Sequence, residues 1–69
     1  MAKKYQNYAK VAKKFAKMYN TTPEVYAEMR ELYYYYGWPP WRIAWYLQKT
    51  YGIKINRKLV WNWVNKKVY

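Results

Sequence analysis

The stretch MRELYYYYGWPPWRIAWYLQKTYGIKINRKLVWNWVNK, Met29 to Lys66, holds three helical patterns separated by two sets of turn residues. The first pattern starts just upstream, where Thr22 suits a cap, Pro23 the first helical position and Glu24 the positive end of the helix dipole. Val25, Met29, Leu32, Tyr33 and Tyr36 then form one apolar stripe at helical spacing. In the tyrosine run, Tyr33 and Tyr36 are expected inward with Leu32, and Tyr34 and Tyr35 more exposed. Gly37 suits a left-handed helix end. Trp38-Pro39-Pro40 is a rigid connector, and either proline opens a second helix that runs to about Thr50. Its inward face is Ile43, Ala44 and Leu47; Trp41, Trp45 and Gln48 share the other. Tyr51-Gly52 ends that helix, and Ile53-Lys54-Ile55 is a short extended link. Asn56 then caps a last helix, Arg57 to about Lys67. Val60, Trp63 and Val64 face inward there, and Lys58, Trp61, Asn62 and Asn65 outward.

Upstream, Lys3 to Tyr19 reads as one amphipathic helix. Tyr5, Tyr8, Ala12, Phe15 and Tyr19 make its apolar stripe, widened by Ala9 and Ala16. Lys3, Lys10, Lys13, Lys14 and Lys17 lie opposite, and Asn20 suits the helix end. The expectation is an all-α fold, with a basic amphipathic helix over residues 1–20 and a three-helix module over residues 21–69.

A chain of 69 residues makes one small core. Such a core supplies about 3–5 kcal/mol unless it is reinforced. Disulfides and thiolate or imidazole metal sites are excluded, because the chain has no Cys and no His. Eleven Tyr, five Trp and one Phe offer large core side chains instead. Fourteen Lys and Arg against three acids give a formal net charge of +11. All three acids, Glu24, Glu28 and Glu31, fall in one short segment. That imbalance calls for an anionic partner. No apolar run approaches the roughly 20 residues of a membrane span, and no signal-peptide core follows the basic N-terminus. The chain is therefore expected in the cytoplasm. The Tyr- and Lys-rich, Cys-free composition fits an archaeal or viral source in a hot environment.

The order Leu32–Gly37, then R-I-A-x-x-L (Arg42, Ile43, Ala44, Leu47), G-I-x-I-N (Gly52 to Asn56) and V-W-x-W-V (Val60, Trp61, Trp63, Val64) resembles the helix-turn-helix of resolvase/invertase recombinases and insertion-sequence transposases. The resemblance covers over half of the chain and leaves out the first twenty residues. It implies three packed helices with the third in the DNA major groove. The chain departs from the family in its longer turn, in Trp-Pro-Pro-Trp before the second helix and in the bulky Trp61.

The outward face of the last helix is basic, amide-rich and free of acid, and Asn and Arg read adenine and guanine edges. Lys58, Trp61, Asn62 and Asn65 are the base-reading candidates. Asn56, Arg57, Lys66, Lys67, Arg42, Lys3, Lys10, Lys14 and Lys17 are the phosphate candidates. Trp38, Trp41 and Trp45 lie outside the expected core and mark an interface. Three uses stand open for them: cover by the first helix, a homodimer, or stacking on single-stranded bases. The chain has no Ser and no Asp for a recombinase nucleophile or a transposase metal cluster. No catalysis, cofactor, metal, membrane or small-molecule substrate is expected. The expected partner is double-stranded DNA, bound by a small regulator or by an architectural protein of a chromosome, plasmid or virus. The rival reading is a protein-interaction module built on the tryptophans.

Overall fold

The computed structural model describes residues 2–65, with side chains from Tyr8 onward. Its regular structure is helical: α1 (Ala2–Tyr19), α2 (Pro23–Tyr34), α3 (Pro40–Tyr51) and α4 (Arg57–Val64). The stops between helices follow from local chemistry. Asn20 sits at φ 54°, a left-handed conformation that Asn tolerates, and the Thr21 N–H bonds back to the Ala16 carbonyl at 2.8 Å. Gly37 and Gly52 take φ 71° and 68°, where a side chain would strain the backbone. The Asn56 side chain accepts from the Leu59 N–H at 2.9 Å and so starts α4. Thr22 precedes α2 in extended geometry without a side-chain cap bond, so Pro23 carries that start.

A single core joins all four helices. Phe15, Tyr26, Met29, Ile43, Leu47, Val60 and Val64 are fully buried. α1 packs along α2, and α3 packs along α4. Ala44 lies buried between Ile43 and Leu47, and Ile53 and Ile55 of the connector close the end of the α3–α4 pair. Gln48 holds that connector by donating to the Ile55 carbonyl at 2.6 Å. Where the sequence reading placed Gln48 simply outward, its amide turns back onto the connector.

The aromatic mass of the chain is concentrated where α1, α2 and α4 meet. Phe15 stacks edge-on against Trp63 at 5.3 Å and tilts against Tyr26 at 5.7 Å and Tyr19 at 4.8 Å. Trp63 donates its indole N–H to the Tyr19 hydroxyl at 3.2 Å, and the Tyr26 hydroxyl donates to the Trp63 carbonyl at 3.3 Å. Edge-to-face pairs of this kind add roughly 0.5–1.5 kcal/mol each beyond the area they bury.

Two expectations about helix faces and one about a helix end change. Tyr36 is exposed, because α2 ends at Tyr34 and the next two residues leave its stripe. Tyr26, absent from the expected stripe, is fully buried under α1. α4 ends at Val64 rather than near Lys67: the Asn65 side chain bonds back to the Trp61 carbonyl at 2.9 Å, and the Val64 carbonyl is taken by side chains of α2.

Candidate nucleic-acid interface

α4 divides cleanly around its axis. Val60, Trp63 and Val64 are buried, while Arg57, Lys58, Trp61, Asn62 and Asn65 are exposed. Its N-terminal half lies beside the start of α3. There Pro40, Trp41, Arg57, Lys58, Trp61 and Asn62 line one groove of about 600 Å³. Five of those six residues were singled out from sequence, and the fold gathers them from two helices. Trp41 is 60% exposed and Trp61 52%.

The asparagines differ in what they leave available. Asn56 spends its side-chain oxygen on the cap and Asn65 spends its amide N–H on Trp61. The cap takes only the acceptor oxygen of Asn56 and leaves its amide donors, the atoms a phosphate would accept from, whereas Asn65, an expected base reader, has an amide N–H tied to its own helix. The Asn62 side chain makes no hydrogen bond among the described residues. Arg42 is exposed and stacks its guanidinium 4.1 Å over the Trp38 ring. Trp38 is not a free interface residue: it is half-buried and meets Tyr46 edge-on at 5.8 Å.

Trp41 and Trp45 are not covered by α1. Its stripe of Phe15 and Tyr19 covers Trp63 instead, and Trp45 remains 55% exposed. Lys10, Lys14 and Lys17 are exposed along α1. The Lys3 side chain, and Lys66 and Lys67 entirely, lie outside the described residues, as does the Tyr5 side chain.

The acids are kept away from the groove. All three glutamates are on α2. Glu28 accepts hydrogen bonds from the hydroxyls of Tyr46, at 2.6 Å, and Tyr51. Tyr46 leaves α3 about 140° around the axis from Trp41, given about 100° per residue. Accepting those bonds, Glu28 pushes both phenol pKa values above their ordinary value, with desolvation adding to the shift. Burial likewise raises Tyr8 and Tyr26, and the nearby Arg30 partly opposes it.

Sequence reasoning missed Arg30, Tyr34, Glu28 and Gln48, which brace α3, α4 and their connector. Arg30 and Tyr34 both donate to the Val64 carbonyl, at 2.8 and 2.6 Å. No local pattern marks Arg30, Tyr34 and Glu28, because their partners lie far along the chain, and Gln48 reaches past its own helix to the connector. Among the described residues no helix is long and apolar enough to cross a membrane. Comparison with family models, curated proteins and solved structures finds no match for this chain.

Proposed function

We propose that this chain is a non-catalytic protein that binds double-stranded DNA, with α2, α3 and α4 acting as a helix-turn-helix and α4 entering the major groove. The observation that carries this reading is the shared face of α3 and α4. It brings Arg57, Lys58 and Asn62 together with two exposed indoles, on helices that carry no acid. A helix with its side chains is about 10–12 Å wide and fits a major groove about 12 Å wide. The dipole and free N–H groups at the start of α4 favour a phosphate beside Arg57. Arg42, held over Trp38, presents a second fixed cation at the start of α3. The exposed lysines of α1 add to the positive charge that would attract a duplex.

Affinity for a duplex at two salt concentrations tests the reading. If about six phosphates are neutralised, affinity falls on the order of a thousandfold between 50 and 200 mM salt. A flat response overturns it. Trp45 supports a second reading, since it is exposed outside the groove. Self-association through the outer face of α3 would cover it, and sedimentation of the protein with and without Trp45→Ser decides.

A further inference from the structure

We infer that the groove between Trp41 and Trp61 seats the 5-methyl group of a thymine in the major groove, beside an adenine read by Asn62. This rests on the DNA-binding reading above and names the base pair that the site selects. The groove combines an apolar lining, from Pro40, Trp41 and Trp61, with the cations Arg57 and Lys58. Its occupant must therefore be apolar at the contact and anionic around it. Duplex DNA meets both conditions at one place, because the thymine methyl is the apolar group on its major-groove base edges and phosphates flank it. The two indoles are exposed in the free protein, so seating a methyl group against them removes apolar surface from water on both sides.

The neighbouring amide points to the same base pair. Asn56 and Asn65 are committed to the backbone of α4, whereas Asn62 has its whole amide available among the described residues. An asparagine amide matches N6 and N7 of adenine with two hydrogen bonds. Asn62 follows Trp61 directly and lines the same groove. One thymine–adenine step thus satisfies the indoles and the amide together. Arg57, at the start of α4, reaches a phosphate that flanks it, and Lys58 adds positive charge beside the step.

The test compares three duplexes of about two helical turns: alternating thymine–adenine, the same duplex with deoxyuridine for thymine, and alternating guanine–cytosine. Deoxyuridine removes only the methyl group and keeps the adenine edge and every phosphate. The full-length protein is expected to bind the deoxyuridine duplex about fourfold more weakly, the factor that burying one such group supplies, and the guanine–cytosine duplex more weakly still. Trp61→Ala brings the thymine-to-deoxyuridine ratio to about one. Trp45→Ala, which removes an exposed indole outside the groove, keeps the ratio. Equal binding of the thymine and deoxyuridine duplexes by the unaltered protein overturns the inference while leaving duplex binding intact. A thymine single strand that outcompetes the duplex also overturns it, since the indoles would then stack on an unpaired base. Failure to bind any of the duplexes overturns the DNA-binding reading itself.

Discussion

Arg30 donates to the Val64 carbonyl at 2.8 Å, so a cation on α2 closes the C-terminus of α4. The last carbonyls of a helix carry partial negative charge and lack partners within the helix. Arg30 supplies both a donor and a charge, and Tyr34 adds a second donor to the same oxygen at 2.6 Å. The guanidinium lies 4.8 Å from the Tyr34 ring centre and 5.7 Å from that of Tyr8, which holds it in place. The helix that carries the candidate interface is thereby anchored at the end opposite the interface.

Arg30→Ala removes a charged donor from a partly buried carbonyl. It is expected to cost about 1.5–3 kcal/mol, seen as a lower midpoint in denaturant with an unchanged slope. A loss below about 0.5 kcal/mol, the range of neutral surface changes, would mean that Tyr34 suffices alone.

Phe15→Ala tests whether α1 is part of the core or an appended arm. Phe15 is fully buried against Tyr26 and Trp63, so the change leaves a cavity at the junction of three helices. The expected cost is about 3–5 kcal/mol, comparable with the whole stability of a core this small. Cooperative thermal melting, followed by circular dichroism, should be lost or shifted far down. Melting close to the unaltered protein would show that α2 to α4 fold without α1.

The bonds from Tyr46 and Tyr51 to Glu28 give a sign to alkaline stability. Both phenols have raised pKa values in the folded state, chiefly because Glu28 accepts their hydrogen bonds. An unfolded tyrosine ionises near about 10. The contribution is therefore complete below about pH 10 and declines as the pH rises from there toward the folded pKa, because the unfolded chain then releases protons that the folded chain retains. The advantage of the unaltered protein over Tyr51→Phe should shrink between about pH 9 and 11, measured as the difference in melting temperature at each pH. A constant difference would mean that Glu28 does not hold the hydroxyl in solution.

Gln48→Ala should loosen the start of α4 without touching its surface. The amide bonds the Ile55 carbonyl at 2.6 Å, and Ile55 leads directly into the Asn56 cap. Loss of about 1 kcal/mol is expected, with faster amide hydrogen exchange at Leu59 and Val60. Unchanged exchange there would leave the connector to its buried isoleucines alone.

Within α4, Arg57→Ala and Asn62→Ala separate positioning from reading. Under the proposed function Asn62→Ala costs about 1–3 kcal/mol on a preferred site and much less on random duplex. Arg57→Ala weakens both by similar factors and lowers the salt slope by about one. Competition binding with a selected and a random duplex distinguishes them, with Lys58→Ala showing to which class that residue belongs. Intact discrimination in Asn62→Ala would remove Asn62 from the reading face.

Much of the local structure was legible because its causes are local. Asn56, Gly37, Gly52 and Asn20 end or begin helices through bonds and backbone angles within a few residues. Val60, Trp63 and Val64 declare an inward face through spacing alone. Tyr26 and Tyr36 were misread because their faces depend on where α2 stops and on what lies over it. Hydrophobic spacing states that a face is buried but not against which partner.

Four helices, their turns, the inward residues of α3 and α4, and a positive surface free of acid outside α2 follow from the order of residues alone. Short-range hydrogen bonding, helical periodicity and charge composition suffice for those. That α1 covers Trp63 and leaves Trp41 and Trp45 exposed follows instead from how the helices pack. Packing alone also decided that Arg30 closes α4, that Glu28 gathers Tyr46 and Tyr51, and that Trp41 joins Trp61 and Asn62 in one groove. Each of these unites residues distant along the chain. Their proximity depends on how buried faces choose one another, a choice made by shape and hydrogen-bond satisfaction across the assembled core.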